Sequence, residues 1–358
     1  MSGTVVVAGG GTGGHIFPGL AVVRELQSMG AKVHWLGAKR GLETELVDQR
    51  GVPMTLVEVE GIQERGPAAA ARAAGMLPKA VLRAARLLLQ LEPRALLGVG
   101  GYASGAGVIA AGFLGIPYVL QEQNSVPGLT NKFLAPWAAL ICCGFSDCVA
   151  SFPSLPAEWT GNPVRESFFE VPEVMPHEPA TLLILGGSQG SLFLNRTLPR
   201  ALAQLRQEGI KPTVRHQAGV RWADVVRTSY RDLGVEATVT AFLAEPWEAL
   251  TEADLIVARS GALTVTELAA SGRGALLIPF AAAAGQHQLI NARSLERAGG
   301  AEVLTEGEAS PERVAAVLRR LLTDRERLQS MGRCARGVSL PHAARRIAER
   351  VLAVGGDA

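Results

Sequence analysis

The sequence predicts an α/β protein made of two doubly wound domains, each a parallel sheet with helices on both faces. Three observations lead to this fold class. The chain has 358 residues, enough for two domains of about 150 residues each. Short strands rich in Val, Leu and Ile alternate with amphipathic helical segments throughout. Each half also opens with a buried strand that runs into a glycine-rich turn and then into a helix.

The two glycine-rich turns are the first elements to justify. One follows the strand at residues 5–8 and reads GGGTGGH, and the other follows the strand at residues 182–185 and reads GGSQG. Glycine lets the backbone bend sharply and approach a ligand, and the first N–H groups of the next helix carry partial positive charge. Two such turns predict that the chain binds phosphate twice. Either turn alone is also compatible with a tight strand-to-helix connection without a ligand.

The remaining strands and the domain boundary follow from the same alternation. Strands are predicted at residues 32–36, 95–99, 118–120, 181–185, 213–216, 254–258 and 275–278. Prolines cluster at 171–179, which we interpret as a linker. We expect domains over 1–163 and 164–340, with a C-terminal helix in 341–358 that could pack on either. Ligands of such domains bind at the carboxyl ends of the strands, so a shared ligand is expected in a cleft that both domains face.

Composition narrows the class of protein. The chain has 35 Lys and Arg against 33 Asp and Glu, a net charge of +2 that gives no general attraction to nucleic acid. Its cysteines, Cys142, Cys143, Cys148 and Cys334, form no C-x-x-C pair, and we expect buried free thiols in a reducing cytoplasm. The first residues lack the basic start of a signal peptide. Residues 95–121 are uncharged, but their glycines divide them into strand, turn and helix rather than a membrane span.

Two familiar phosphate-binding classes are disfavoured. Gly9, Gly11 and Gly14 satisfy G-x-G-x-x-G, but a dinucleotide site also needs an acidic residue at the end of the second strand, and none occurs before Glu43. The same turn resembles a P-loop, yet His15 stands where that loop has lysine. An NAD-dependent oxidoreductase and a kinase or ATPase are therefore less consistent with the sequence.

A better nucleotide site lies in the second half. The strand at 254–258 is followed by Arg259-Ser260-Gly261 and then by a helix that carries Glu267. Ser260 or Gly261 is expected to cap this helix, and the Glu267 carboxylate can accept hydrogen bonds from both ribose hydroxyls. Glu267 could instead be an acid placed near a helix N-terminus for its dipole. The amides of Gln288 and Asn291 share one helical face and suit sugar hydroxyls.

Several segments together carry a resemblance to a known family. They are residues 9–19 (GGGTGGHIFPG), 98–105 (GVGGYASG), 122–124 (EQN), 161–165 (GNPVR), 186–190 (GGSQG) and 259–267 (RSGALTVTE). In this order they resemble the MurG family, bacterial transferases that add N-acetylglucosamine to the lipid-linked muramoyl-pentapeptide of peptidoglycan synthesis. The resemblance implies two Rossmann-like domains of the glycosyltransferase B type, facing a cleft. UDP-N-acetylglucosamine would bind mainly to the second domain and the lipid diphosphate acceptor to the first.

The resemblance also implies roles for individual residues. Those implied to bind UDP-N-acetylglucosamine are Thr12, Gly13, Gly14, Asn124, Arg165, Ser188, Leu243, Ala262, Leu263, Thr264, Val265, Thr266, Glu267 and Gln288. Arg165 and Ser188 would hold the diphosphate, and Leu243 would meet uracil through its backbone. Gly100, Gly101 and Tyr102 would shape the acceptor site. No D-x-D sequence occurs, so neither a metal nor another cofactor is expected, and helix N-termini with Arg165 would stabilise the leaving diphosphate.

The expected reaction inverts the anomeric centre, because the acceptor 4-hydroxyl attacks in a single displacement. A base is then needed beside that hydroxyl. We favour His15, whose imidazole titrates near neutral pH, with Glu122 as the second candidate; His15 could instead only bind phosphate or orient a neighbour. The chain departs from the family at Gln121, where a histidine is often found, and in a loop at 280–286 that is poor in acids.

The lipid acceptor implies peripheral contact with the cytoplasmic face of the membrane. Within residues 72–91, Lys79, Arg83 and Arg86 share a helical stripe with Leu82, a pattern that suits an anionic surface but is also typical of a solvated helix face. Three other functions remain open from the sequence. They are a related transferase with another acceptor, an NAD-dependent oxidoreductase, and a binding protein without activity.

Overall fold

The chain forms two compact units in a computed structural model that describes residues 3–11, 13–39, 46–59, 66–173, 177–187 and 189–356. Only the backbone is described at 66–74 and 284. The first unit comprises residues 1–164 with 342–358, and the second comprises residues 165–341. Within the described ranges, no helix is both long enough and apolar enough to cross a bilayer.

The first unit is a parallel sheet covered by helices. Its described strands are β1 Thr4–Ala8, β2 Lys32–Ala38, β3 Met54–Val57, β4 Ala95–Gly98, β5 Tyr118–Glu122, β6 Leu140–Cys143 and β7 Ala157–Trp159. Its described α-helices before the boundary are α1 Gly13–Ser28, α2 Gly66–Leu91, α3 Tyr102–Phe113, α4 Leu129–Leu134 and α5 Ser146–Val149. The strand order is β3-β2-β1-β4-β5-β6-β7. Apolar clusters lie on both faces of the sheet, which explains why β1 and β4 are continuous apolar runs.

The second unit repeats this architecture. Its described strands are β8 Thr181–Leu185, β9 Thr213–Gln217, β10 Thr238–Thr240, β11 Leu255–Ala258, β12 Ala275–Leu277 and β13 Ala301–Val303. Its described α-helices are α6 Leu192–Gln207, α7 Ala223–Asp232, α8 Pro246–Thr251, α9 Ala262–Ser271, α10 His287–Arg297, α11 Pro311–Leu322 and α12 Arg325–Gly337. The strand order is β10-β9-β8-β11-β12-β13, and every pairing is parallel. Two doubly wound domains were the predicted fold class, and the structure confirms it.

The last helix, α13 Ala343–Val354, packs on the first unit against α1. Ile347 and Val351 are buried in the same apolar cluster as Val5. Arg350 donates from Nε and Nη2 to the two carboxylate oxygens of Glu158, at 2.8 and 3.0 Å. Apolar burial and this two-bond ion pair therefore hold the last helix on the first unit, a choice that the sequence left open.

The proline-rich segment 171–179 is not the linker that we expected, because its described residues belong to the second unit. Arg273 Nη1 donates to the carbonyl oxygen of Pro172 at 2.9 Å. The buried Asp254 carboxylate accepts from the N–H of His177 at 3.1 Å and from that of Thr181 at 2.6 Å. The described residues of this segment are therefore bonded to the buried Arg273 and Asp254 of the second unit, and the unit boundary lies at 164/165.

Both sheets have a topological switch point, where the winding direction of the chain reverses. It lies between β1 and β4 in the first unit and between β8 and β11 in the second. Loops leave the carboxyl ends of these neighbouring strands in opposite directions, which opens a crevice where doubly wound domains bind ligands. The glycine-rich turns and the Arg259–Gly261 turn follow these strands.

Candidate functional site

The loops after β1 and β4 touch each other at the first switch point. Gly100 and Gly101 have φ values of 90° and 80°, and a Cβ at Gly101 would lie 2.1 Å from the carbonyl oxygen of Gly10. Only glycine permits this approach. Helix α3 starts directly afterwards with Gly101 as its N-cap, which has no side chain to bond the first N–H groups. The first switch point therefore presents uncapped helix N–H groups beside the first glycine-rich turn.

His15 lies in this same corner, in the first turn of α1. A Cβ at Gly100 would be 2.7 Å from His15 Cδ2 and 3.0 Å from its Nε2, so the imidazole ring packs on the Gly100 backbone. The same Cβ would lie 3.4 Å from Gln123 Oε1, and Gln123 Nε2 donates to the carbonyl oxygen of Val99 at 2.7 Å. The half-buried His15 is thus brought to the loops that follow β4 and β5.

Glu122, at the end of β5, holds the following loop together. Its side chain is buried, and the carboxylate accepts four hydrogen bonds. Oε1 accepts from Asn124 N at 3.0 Å and Asn124 Nδ2 at 3.2 Å, and Oε2 accepts from Gly128 N at 3.0 Å and Asn131 Nδ2 at 2.8 Å. A carboxylate with four donors already in place is suited to organising the loop.

A buried amide network supports the same loop. Gln121 Nε2 donates to Asn162 Oδ1 at 3.1 Å, and Asn162 Nδ2 donates to the carbonyl oxygen of Gln123 at 2.9 Å. Gln121 and Asn162 are fully buried. At the position where the resembled family often has a histidine, this chain therefore places a neutral amide whose charge does not change with pH.

The loop after β8 has the same close contact with a neighbouring loop. A Cβ at Gly190 would lie 2.1 Å from the carbonyl oxygen of Ala218, and the φ of Gly190 is 76°. Ser191 then caps α6, because its Oγ accepts from Leu194 N at 3.3 Å. The serine directly before this helix was a signal that the sequence analysis did not use.

The turn after β11 differs in detail from the expectation. Gly261 is the N-cap of α9 and no side chain caps the helix. Ser260 is buried and its hydroxyl donates to the backbone oxygen of Gln288 at 2.8 Å, so this serine joins the turn to the start of α10. Asn291 is also buried and donates from Nδ2 to the backbone oxygen of Ser260 at 3.3 Å. Asn291 therefore supports the turn and does not face a sugar as expected.

Glu267 faces Arg165 from the second turn of α9. Burial raises the pKa of the half-buried Glu267 to about 7, and the neighbouring positive charge of Arg165 opposes this rise. The Arg165 guanidinium also lies 4.3 Å from the ring centroid of Trp247, in the first turn of α8. Trp247 was missed, since nothing in the sequence around it distinguishes it from a core residue.

Within each unit, contacts join several of the predicted site residues. In the first unit, Gly13, Gly14 and His15 form the start of α1, and Gly100, Gly101 and Tyr102 lie at the start of α3, where His15 packs on Gly100. Glu122 ends β5 and bonds Asn124 on the following loop. In the second unit Leu243 lies between β10 and α8, and Ala262, Leu263, Thr264, Val265, Thr266 and Glu267 form the start of α9. Thr12 and Ser188 lie outside the described residues.

Some of these side chains are already used inside the protein. Val265 is buried, and its N–H donates to the carbonyl oxygen of Gly261 at 3.0 Å. Thr266 Oγ1 donates to the carbonyl oxygen of Ala262 at 2.9 Å, and Gln288 Oε1 accepts from Phe280 N at 3.0 Å. In the described ranges, no three His, Cys, Asp or Glu side chains are grouped as metal ligands. Cys142, Cys143 and Cys148 are free and buried, as predicted, whereas Cys334 is half-buried.

Comparison with family models identifies both halves of the chain. Residues 5–142 match the glycosyltransferase family 28 N-terminal domain, and residues 181–351 match the glycosyltransferase family 28 C-terminal domain.

Curated relatives match over nearly the whole length. A protein of Stutzerimonas stutzeri is 41% identical over 356 residues, covering 99% of both chains. One of Pseudomonas syringae pv. tomato is 43% identical over 345 residues, covering 96% of both. Both are named UDP-N-acetylglucosamine--N-acetylmuramyl-(pentapeptide) pyrophosphoryl-undecaprenol N-acetylglucosamine transferase.

Solved structures agree with these relatives. The crystal structure of Acinetobacter baumannii MurG superposes with a TM-score of 0.82 at 33% identity, covering 98% of this chain and 99% of that one. The calicheamicin glycosyltransferase CalG4 superposes with a TM-score of 0.69 at 18% identity, covering 98% of both chains, and shows a shared fold.

The raised pKa of Glu267 predicts a pH-dependent stability. The folded protein holds this proton up to a pH of about 7, whereas an unfolded glutamate loses it near 4.5. Stability is therefore lost as the pH rises from 4.5 to 7. Glu267→Gln removes this loss, so its melting temperature should equal that of the unchanged protein at pH 4.5 and exceed it by roughly 3–6 °C at pH 8. Thermal unfolding followed by circular dichroism measures the difference.

The matched control is Glu236→Gln, an exposed glutamate of the same unit. The difference in melting temperature between Glu236→Gln and the unchanged protein should not increase with pH. A constant difference between the Glu267→Gln variant and the unchanged protein from pH 4.5 to pH 8 would contradict the raised pKa.

Proposed function

The chain belongs to glycosyltransferase family 28, and we propose that it transfers N-acetylglucosamine from UDP-N-acetylglucosamine to the lipid-linked N-acetylmuramoyl-pentapeptide of peptidoglycan synthesis. The acceptor is undecaprenyl-diphospho-N-acetylmuramoyl-pentapeptide, lipid I, and the product is lipid II. One observation in the structure carries the proposal. The turn after β11 leads into an uncapped helix whose second turn carries Glu267 beside Arg165, which suits a ribose next to a diphosphate.

The second unit is proposed to hold the donor at the switch point between β8 and β11. Glu267 would accept hydrogen bonds from the two ribose hydroxyls, and the backbone at Leu243 would meet uracil. Since Gln288 Oε1 accepts from Phe280 N, the Gln288 amide NH₂ is the group that would donate to a sugar hydroxyl. The first N–H groups of α9 would contribute the remaining nucleotide contacts, through Ala262, Leu263 and Thr264.

The diphosphate of the donor is proposed to lie between Arg165 and the start of α6. Ser188 belongs to the glycine-rich turn that precedes α6, and the positive end of that helix would face an anion bound there. Arg165 is held by Trp247 and attracted by Glu267, which supports a contact of its guanidinium with both ribose and diphosphate. Positive charge there stabilises UDP as it departs.

The first unit is proposed to hold the acceptor. Helices α1 and α3 begin side by side where Gly101 touches Gly10, and two positive helix ends suit the acceptor diphosphate. Tyr102 is more than a third exposed at the start of α3 and would contact the acceptor sugar. Thr12, Gly13, Gly14 and Asn124 are proposed to contact the donor sugar, with Asn124 held in place by Glu122.

His15 is proposed as the general base. The acceptor 4-oxygen forms a bond to the anomeric carbon of N-acetylglucosamine on the face opposite UDP, its proton passes to the imidazole, and the bond from that carbon to the diphosphate oxygen breaks. The anomeric configuration is therefore inverted. Glu122 is the weaker candidate for this role, because its buried carboxylate already accepts four hydrogen bonds that hold the Asn124–Asn131 loop.

Peripheral contact with the membrane is proposed for the face formed by α2, α3 and α4, which pack on one another in that order. On α2, Lys79, Arg83 and Arg86 are exposed beside Leu82 and Leu89. Large apolar side chains are exposed nearby, with exposed fractions of 84% for Phe113, 71% for Leu129, 69% for Phe133 and 66% for Trp137. Basic and apolar groups on one face suit an anionic lipid surface.

The test of the reaction is transfer of labelled N-acetylglucosamine to a lipid-linked muramoyl-pentapeptide, with release of UDP. His15→Ala should lower kcat by about 10²–10⁴-fold, since the base is lost, while the Kd for UDP changes less than about twofold. Near-normal turnover of His15→Ala would reject the base role.

Glu122→Gln is the comparison variant for the base. It turns one acceptor oxygen into a donor that opposes the loop N–H groups, so turnover and melting temperature should fall together. A loss of kcat with an unchanged melting temperature would instead favour Glu122 as the base.

The membrane face is tested by sedimentation with vesicles of phosphatidylglycerol and phosphatidylcholine. The double reversal Arg83→Glu and Arg86→Glu should weaken binding by at least about tenfold, because each exposed basic residue contributes to attraction by the surface. The control reverses Arg196 and Arg200, two exposed arginines on α6 of the second unit, and should bind normally. Equal binding by both variants would contradict the assignment of this face.

A further inference from the structure

We propose that Arg259 is a positioning residue that fixes the diphosphate-binding start of α6 relative to the sugar-binding loop before α10. This inference rests on the proposed function and extends it, because it names the group that holds the two halves of the donor site in register. Arg259 follows β11 directly, so it lies at the centre of the second switch point.

The guanidinium of Arg259 bonds the loops on both sides of its own strand. Its Nε donates to Ser191 Oγ at 2.9 Å, on the loop after β8. Its Nη1 donates to the carbonyl oxygens of Ile278 at 3.0 Å and Pro279 at 3.2 Å, after β12. One planar group therefore ties together the loops that follow three neighbouring strands of the sheet.

A fourth loop fixes the remaining edge of the guanidinium. Arg259 Nη2 lies 2.5 Å from Glu306 Oε1, after β13, and the two side chains are only 13% and 22% exposed. The guanidinium carbon also lies 5.5 Å from the ring centroid of Phe193 and 5.5 Å from that of Phe280. Burial lowers the pKa of Arg259 and the charge of Glu306 opposes that shift, so the ion pair stabilises the charged group.

The groups that Arg259 bonds adjoin those that are proposed to contact the diphosphate and the sugar of the donor. Ser191 Oγ accepts from Leu194 N and so shapes the first turn of α6. Phe280 follows Pro279 directly, and its N–H donates to Gln288 Oε1. Loss of the Arg259 contact to Ser191 or to Pro279 would move the diphosphate end of the site away from its sugar end. These contacts of the guanidinium are to Ser191, Ile278, Pro279 and Glu306 and not to Glu267, so we expect the uridine end of the site to keep its geometry when they are lost.

Lysine cannot replace arginine in this arrangement. It offers a single ammonium on a flexible stem, whereas the contacts to Ser191, to two carbonyl oxygens and to Glu306 require a planar fork of donors. The Arg259→Lys variant keeps the positive charge and loses the geometry, which separates positioning from simple attraction of phosphate.

Calorimetric titration of the full chain with uridine, UDP and UDP-N-acetylglucosamine tests the proposal. In Arg259→Lys, the Kd for uridine should stay within about twofold and the Kd for UDP-N-acetylglucosamine should rise at least about tenfold. The ratio of the Kd for UDP to that for UDP-N-acetylglucosamine should fall, because the sugar loop is no longer in register. An equal loss for UDP and UDP-N-acetylglucosamine, an equal loss for all three ligands, or no loss would each overturn the positioning role.

Two further variants protect the test. Arg320→Lys, in an exposed two-contact pair with Glu302, is the matched control and should leave all three constants unchanged. If Arg259→Lys does not fold, Glu306→Gln tests the positioning role instead. It should weaken the binding of UDP-N-acetylglucosamine more than the binding of uridine. Failure of the unchanged protein to bind UDP would contradict the proposed function and not the positioning role.

Hydrogen exchange supplies a readout that a loss of general stability would not give. Peptides covering residues 191–196 and 278–288 should exchange faster together in Arg259→Lys, while peptides from β8 and β11 keep their protection. Faster exchange across the whole second unit would overturn the proposal.

Discussion

Close backbone contact between neighbouring loops is the constraint on which the site depends. In the first sheet the loops after β1 and β4 meet at the reversal of the winding direction, and in the second sheet the loop after β8 meets the loop after β9. Each pair of loops can come together only where a side chain is missing. The Cβ that Gly101 lacks would lie 2.1 Å from one carbonyl oxygen, and the Cβ that Gly190 lacks would lie 2.1 Å from another. These contacts bring the starts of α3 and α6 to the carboxyl edge of their sheets. Uncapped or singly capped helix N–H groups at that edge supply positive potential.

The two units complete this shared plan with different chemistry. The first unit surrounds its corner with neutral amides and one carboxylate, Glu122, whose oxygens are taken by backbone and asparagine donors. The second unit uses buried or half-buried charge, with Arg259 joining four loops and Arg165 facing Glu267. This difference fits the proposed division of labour. The donor releases UDP, so it needs positive charge at the bond that breaks. The acceptor hydroxyl needs a base and precise orientation.

The sequence predicted the fold well because its signals are local. Apolar runs bounded by glycine gave the strands, and the predicted segments at 32–36, 213–216 and 275–278 lie within or overlap β2, β9 and β12. The candidate site was predicted where a motif marks a turn, as at Gly100 and Glu267. The sequence could not show that the Ser260 turn and the start of α10 would bond each other through Ser260 and Asn291, nor that Arg259 would contact Glu306. These contacts are set by tertiary packing. The segment 171–179 was wrongly interpreted as a linker for the same reason, because Arg273 and Asp254, which bond its described residues Pro172 and His177, are distant in sequence.

UDP bound at the reversal between β8 and β11, with its ribose on Glu267, is the central claim about this molecule. A crystal structure of the full chain soaked with UDP measures it directly. We expect both ribose hydroxyls within hydrogen-bond distance of the Glu267 carboxylate and the diphosphate at the start of α6. Nucleotide density elsewhere, or a ribose turned away from Glu267, would contradict the claim.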